Sequence, residues 1–310
     1  MTDVRSSTFK LTEDLGQHYS AMERNNLMRL AHTIPFTPVS LLGGVEVCIY
    51  TLEESVGDPS SSISTWLQNG RTAVLQPLAH QEVLDGGLRR ATKVVCTWAE
   101  GDVLKLGSVY VVKAFRPEVV RIWQKVFPIS TSLHLCLREI QQQRAAQKLM
   151  QRFNQVKPSS VPHSPRFLDV SLLHWRSDGQ WLTVENNMSG HFRKYNNNTG
   201  EEILPSSGLE ETILAFSHWT YEYTNKELLV LDLQGVGADL TDPSLIRVDD
   251  KSSPGEMAFG PANLGDDAIQ SFVLKHTCNS CCKKLGLSDL RSCGSLKKSV
   301  PAFDETSCTA

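Results

Sequence analysis

The chain has 310 residues, 40% of them hydrophobic and 21% charged, the balance of a soluble globular protein with room for one large domain or two modest ones. Its net charge of -3 speaks against a general nucleic-acid binder, which carries a strong basic excess. No apolar run approaches the ~18 residues of a membrane span. The start, MTDVRSSTFKLTEDLG, lacks a signal-peptide core, and eight cysteines without such a signal fit a reducing, cytoplasmic setting.

In chain order, HYSAMERNNLMRLAHTIPFTPV places Met22, Leu27, Leu30 and Ala31 on one face of a short helix that ends before Pro35. That face must be buried on its own domain or on a partner. EESVGDPSSSIS, rich in Ser, Gly and Pro, reads as a mobile loop. Strands follow in RATKVVCTW and SVYVVKAF, joined by the turn-like AEGDVLKLG, with Cys48, Cys96 and Cys136 as small core residues in apolar runs. LHLCLREIQQQRAAQKLMQRF is a helix with Leu133, Leu137, Ile140, Ala145, Leu149 and Phe153 near one face. RFLDVSLLHW and WLTVE are strands joined by RSDG, and RKYNNNTGEEILPSSG is a loop. Ser207 precedes Glu210 at capping-box spacing and opens the helix LEETILAFSHWTYEY. LLVLDLQG is a buried strand that ends in a tight turn, FGPANLG leads into the helix DDAIQSFVLKH, and the polar tail from Arg291 is expected to be disordered. Strands early and helices late make an α+β pattern, plausibly in two lobes.

Four groups of residues carry chemistry. Lys113 lies within an apolar strand and needs a partner, for which Glu139 on the following helix is available. A strand lysine paired to a helix glutamate holds ATP phosphates in protein kinases, although a solvent-facing strand lysine reads the same way. Asp232 closes the run LLVL, a common place for a functional acid. Gln234 and Asp242 beside it supply oxygen ligands of the kind magnesium takes, while Asp242, before Pro243, also fits a turn cap. The glycines of GPANLG, Gly260 and Gly265, run into a helix whose N–H groups suit an anion, though a plain helix start has the same form. His276, Cys278 and Cys282 form H-x-C-x-x-x-C, three ligands for zinc, with the adjacent Cys281 pointing elsewhere. His218, on an apolar helix, is the best fourth ligand by type: a lone helical histidine is more often a satisfied core residue, and the ligand-deficient arm shifts that balance. A closed set of this kind is structural rather than catalytic. The P-loop signature and the H-R-D and D-F-G signatures of ordinary kinases are absent.

Together, LLVLDLQGVGADLTDP, FGPANLGDDAIQSF and KHTCNSCC resemble the atypical alpha-kinases. GGLRRATKVVCTW, VYVVKAF, LHLCLREIQQQRAAQKL, SPRFL and AFSHWTYEYT extend the likeness from about His18 to Leu290, closest to the kinase domain of melastatin-type channel-kinases. The resemblance implies a two-lobed alpha-kinase fold that binds ATP between its lobes, with a structural zinc in the C-lobe. It implies an N-terminal arm over 1–44 that is exchanged in a homodimer, a catalytic domain over 45–290 (lobes about 45–185 and 186–290), and a tail over 291–310.

By the same resemblance, Lys113 contacts phosphates and Glu139 holds it. Arg89 reaches phosphate, Glu185 lies beside adenine, and Asn263 lies near nucleotide and substrate. Lys194 meets the transferred phosphoryl group, Asp232 is the catalytic aspartate, and Gln234 and Asp242 serve magnesium. His218, His276, Cys278 and Cys282 hold zinc. The hinge VENNMSG is more polar than expected of the family. The implied activity is ATP- and Mg-dependent phosphorylation of protein serine and threonine, including Ser60, Ser61, Ser62 and Ser64 of this chain. In a full-length channel-kinase the domain would lie on the cytoplasmic side of the membrane. The rival reading, an inactive interaction module on the same fold, is disfavoured by intact Lys113, Asp232, Gln234 and Asp242.

Overall fold

In a computed structural model, the described residues are 44–51, 70–78, 84–247 and 264–290, and all belong to one compact unit. The N-terminal arm, the serine loop, the tail, Gly260 and Asn263 lie outside them. Stretches with β-branched and aromatic residues build β1 (Val45–Tyr50), β2 (Arg71–Pro77), β4 (Arg89–Ala99), β5 (Val109–Phe115), β7 (Val170–Trp175) and β8 (Gln180–Asn186), joined by the two-residue β3 (Leu84–Asp85). They form one antiparallel sheet in the order β2-β1-β7-β8-β5-β4-β3. β2 also pairs with β4 across a bulge at Val74/Leu75, so the sheet closes on itself. The period of two then decides each residue's environment. On β5, Tyr110 and Val112 fill the enclosed core with Val47, Ile49 and Leu173. Lys113 and Phe115 point to the opposite face, where Phe115 packs with Leu133 and Ile140 of the long helix.

That helix is α2 (Thr131–Val156), 26 residues and so roughly 39 Å long. It follows the short α1 (Pro117–Trp123), which the apolar pattern did not signal. The first half of α2 covers the outside of the sheet through Leu133, Leu137 and Ile140. Its second half carries Ala146, Met150 and Phe153 into a second core with Phe216 and Trp219. Aromatic edges meet there, with Phe153 centroids 5.5 Å from Phe216 and 5.4 Å from Trp219. Glu139, Gln142 and Gln143 fall where the two cores adjoin.

The second core belongs to α3 (Gly208–Tyr223), β10 (Leu228–Leu231) paired with β13 (Ser244–Arg247), and a small sheet of β6 (Arg166–Phe167), β12 (Asp239–Thr241), β11 (Gln234–Val236) and β9 (Arg193–Lys194). β6 and the second half of α2 therefore pack with this lobe, although both precede residue 185. Ser207 caps α3 as the spacing predicts, its Oγ accepting from Glu210 N at 3.3 Å. The reciprocal arm is displaced by one residue: Glu210 accepts from the N–H and hydroxyl of Ser206 at 2.7 and 2.9 Å. β9 lies within the stretch expected to be loop. The close approach of β11 to β12 requires glycine at 235, since a Cβ there would lie 1.9 Å from the Asp239 carbonyl oxygen. α4 (Gly265–Lys275) and the short α5 (Ser280–Lys284) complete the lobe. Among the described residues, no helix is long and apolar enough to cross a membrane.

Candidate active site and metal centre

β10 is buried along Leu229, Val230 and Leu231, and the chain leaves it through Asp232 at φ 56°. Asp232 is 9% exposed. The pairing of Leu231 with Ser244 brings the Ser244 hydroxyl onto one carboxylate oxygen, to which it donates. The pairing of Gln234 with Lys194 brings Lys194 Nζ to 2.7 Å from the other, an ion pair outside the alignment of a hydrogen bond. Asp242, past the β11–β12 hairpin, also has positive φ, 52°. Both acids thus occupy the left-handed region, which asparagine and aspartate tolerate better than other side chains and which clusters at functional sites.

A chain of charges joins the lobes at Asp242. Its Oδ1 accepts from Arg89 and its Oδ2 from Lys113, each at 2.7 Å. Lys113 also donates to Glu185 at 2.6 Å, and Glu185 accepts from Thr241 at 2.6 Å. Arg89 lies 3.0 Å from Glu139. The pair expected between Lys113 and Glu139 is therefore replaced. Lys113 is held by Glu185 and Asp242, and Glu139 holds Arg89 instead. Strand pairing explains this: β5 neighbours β8, with Val111 opposite Glu185, so Glu185 is presented beside Lys113 on the same face.

Burial opposes the charge on Asp242, but Arg89 and Lys113 outweigh it and hold the carboxyl well below the usual carboxylate range. Burial opposes charge on Arg89 as well, yet Asp242 and Glu139 push it further up. At Glu139 burial dominates and raises the carboxyl despite Arg89. Lys113→Met would leave Glu185, only 4% exposed, without its cation. Loss of one partner from a buried pair costs roughly 3–5 kcal/mol, so a stability loss of roughly 3 kcal/mol is expected in urea unfolding. An unchanged urea midpoint would remove Glu185 as the structural partner of Lys113.

These residues line one cleft of about 680 Å³: Arg89, Lys113, Glu139, Glu185, Lys194, Asp232, Gln234 and Asp242 all face it. Met188, Val111 and Phe192 supply apolar wall, and the hinge asparagines Asn186 and Asn187 border it. Gly265 opens α4 at φ 64° and does not line the cleft. The site includes residues that sequence reasoning missed. Ser244 and Thr241 hold the acids as just described. Gln143 accepts from Asp242 N at 3.0 Å and donates to Leu168 O at 2.7 Å, while Gln142 accepts from Leu245 N at 3.1 Å. Their signal was visible: adjacent glutamines interrupt the apolar face of α2, and buried polar groups need partners. Gln234 donates to the Asp242 carbonyl at 3.1 Å, which leaves its amide oxygen free to accept, and both residues line the cleft. Such hard oxygens fit magnesium.

The second centre lies where α3 meets α5. One ligand atom from each of His218, His276, Cys278 and Cys282 falls within 4.8 Å of every other. Cys278 Sγ is 3.6 Å from His218 Nδ1, and Cys282 Sγ is 3.5 Å from His276 Nε2. A zinc tetrahedron with ordinary Zn–S and Zn–N lengths has an N–S edge of about 3.6 Å. Glu202 lies 2.9 Å from His276 Nδ1, the carboxylate support that orients a metal-ligating imidazole. His218 Nε2 has no hydrogen bond, with Glu222 at 3.8 Å. Cys281 turns away, its Sγ 3.5 Å from the Thr212 hydroxyl. Burial lowers His218 to about 4 and so favours the neutral, ligating imidazole.

A model of the alpha-kinase family matches residues 84–282. The chain is 62% identical to the mouse (Mus musculus) transient receptor potential cation channel subfamily M member 6 over 289 residues. It is 59% identical to the human (Homo sapiens) member 7 over 287. Each comparison covers 92% of this chain but only 14% and 15% of those channels. Myosin heavy chain kinase B of Dictyostelium discoideum is 33% identical over 178 residues, 54% of this chain and 23% of that protein. Among solved structures, the alpha-kinase domain of myosin heavy chain kinase A in complex with ADP has a TM-score of 0.61 at 25% identity, covering 81% of this chain and 100% of that one. With the family's match spanning both the cleft and the His/Cys cluster, this chain belongs to the alpha-kinase family.

Proposed function

We propose that the chain is an ATP- and magnesium-dependent protein serine/threonine kinase and forms the kinase portion of a cation channel-kinase. The observation that carries this is the placement of Asp232, Lys194, Lys113, Arg89 and Asp242 around one cleft between the two cores. Lys113 and Arg89 take the phosphates of ATP, with Glu185 and the hinge asparagines toward the base. Asp242 and Gln234 would hold magnesium, which would supply charge neutralisation at the phosphates. Asp232 accepts a hydrogen bond from the attacking hydroxyl and takes its proton. The hydroxyl oxygen bonds the γ-phosphorus as its bond to the β-bridging oxygen breaks and ADP leaves. Lys194 is placed to face the charge on the transferred group. His218, His276, Cys278 and Cys282 hold a structural zinc, and residues 1–44 exchange between the subunits of a homodimer.

The test is transfer of radiolabelled phosphate from ATP to a basic protein, with and without magnesium. Magnesium-dependent incorporation on serine and threonine is expected. No incorporation by folded, nucleotide-binding protein would favour an inactive interaction module instead.

The double engagement of Asp242 adds a second expectation. Without magnesium, Asp242 keeps both phosphate-binding cations occupied. Asp242→Asn should therefore bind magnesium-free ATP about tenfold more tightly than the parent chain, since charged hydrogen bonds are worth about 1.5–3 kcal/mol. Calorimetry in magnesium-free buffer without a zinc-stripping chelator decides it. Equal or weaker binding by the variant would show that Asp242 does not compete for Lys113 and Arg89.

A further inference from the structure

Asp232 is a left-handed aspartate after the buried run of Leu229, Val230 and Leu231, a conformation that persists only where its surroundings impose it. Outside the cleft, two side chains grip the backbone on both sides of it. Asn196, 2% exposed, accepts from Leu233 N through Oδ1 at 2.8 Å and donates from Nδ2 to Ser217 Oγ at 3.0 Å. Ser217, fully buried on α3, donates its hydroxyl to Val230 O at 2.7 Å. The relay runs Leu233–Asn196–Ser217–Val230 and encloses Asp232 between its ends. The backbone of Tyr195 reinforces it, donating to Leu233 O at 2.7 Å.

The frame behind this relay is the His/Cys cluster. Ser217 immediately precedes His218 on α3. Asn196 bridges to Glu202, the residue whose carboxylate supports His276. One anchor of the relay is thus the chain neighbour of a cluster histidine, and the other is bridged to the residue that supports a second. Neither Asn196 nor Ser217 lines the cleft.

We propose that Asn196, through Ser217, is a positioning residue for Asp232, fixing the left-handed turn that aims its carboxylate at the acceptor hydroxyl. This rests on the reading of Asp232 as the catalytic aspartate. A buried asparagine that merely satisfied backbone groups would contribute to stability and nothing more. The two roles separate kinetically, because a misplacement of about 1 Å at a reacting group costs up to about 100-fold in rate, and residues acting as one unit are non-additive.

The experiment is a double-mutant cycle with zinc content measured on every protein. Asn196→Ala should lower kcat about 10–100-fold while the KM for ATP stays within about twofold and zinc stoichiometry is unchanged. Placed on the Asp232→Asn background, it should cost no more than about twofold further, since the carboxylate it aims is already gone. An equal fall in both backgrounds, or an unaltered kcat in the single variant, overturns the proposal. If Asn196→Ala is insoluble, Ser217→Ala decides by the same cycle, with a fall of at least about threefold expected only where Asp232 is intact. The underlying reading is tested separately by Asp232→Asn alone. Near-normal turnover there refutes the catalytic assignment, whereas a slow Asp232→Asn with additive cycles refutes only the role of Asn196.

Discussion

Asp232→Asn should fold, retain its metal and bind ATP, yet transfer phosphate at least about 100-fold more slowly, the low end of general-base contributions. The geometry separates these properties. Asparagine is as tolerant as aspartate of the left-handed region, so the φ of 56° is kept. The Ser244 hydroxyl can still donate to the amide oxygen, so that contact survives. What disappears is the charge that faces Lys194 at 2.7 Å and that would take the hydroxyl proton. Lys113 and Arg89, which are assigned to the nucleotide, are bonded to Asp242 and not to Asp232. Nucleotide affinity by calorimetry and the initial rate of phosphate incorporation, read on the same protein, check the separation. Turnover near that of the parent chain would mean that the end of β10 is not the catalytic strand end. Lost ATP affinity with normal turnover at saturation would move Asp232 to the nucleotide side of the cleft.

Much of this was legible before the structure, for definite physical reasons. β4 and β5 showed themselves by β-branched alternation, α2 by its apolar stripe, α3 by its cap at Ser207, and the end of β10 by an acid after four apolar residues. These are local signals, carried by side chains within one element. What failed was pairing between distant segments. Lys113 and Glu139 lie on elements read from the sequence as consecutive and looked like partners. The true neighbour, Glu185, comes from β8, 72 positions along the chain, and only the sheet order brings it there. The β2–β4 closure is hidden for the same reason, since either strand alone reads as an ordinary member of an open sheet. The relay of Asn196 and Ser217 was hidden differently. Each is an isolated polar residue in an unremarkable setting, and its importance lies in which backbone groups it meets. The His/Cys set stood out because metal ligation restricts residue types so strongly that three ligands in seven residues are conspicuous.

Cys282→Ala is expected to give insoluble or unfolded protein, while Cys281→Ala, one residue away, is mild. Cys282 is 1% exposed and its sulfur, one of the four candidate ligand atoms, sits 3.5 Å from His276 Nε2. Burial pushes its thiol up to about 12, so the thiolate needs a cation beside it, and a coordinated thiol is deprotonated outright. Binding free energies of structural zinc in small metal-folded peptides are ~10 kcal/mol or more, against a total stability of about 5–15 kcal/mol for a typical domain. On the proposed zinc assignment, losing one of four ligands threatens the whole margin. The cluster also joins α3, α5 and the Glu202 segment, so its failure would release the end of the helix that carries Ser217. Cys281 is equally buried, but it meets Thr212 rather than the cluster. Its replacement removes only a small hydrophobic contact, about 1 kcal/mol on the scale of a buried methylene. Metal content by mass spectrometry, soluble yield and thermal unfolding of both variants check this contrast. A soluble, active, zinc-free Cys282→Ala protein would show that the cluster does not hold the fold together. Equal damage from Cys281→Ala would show that packing at α5, rather than ligation, is what the lobe requires.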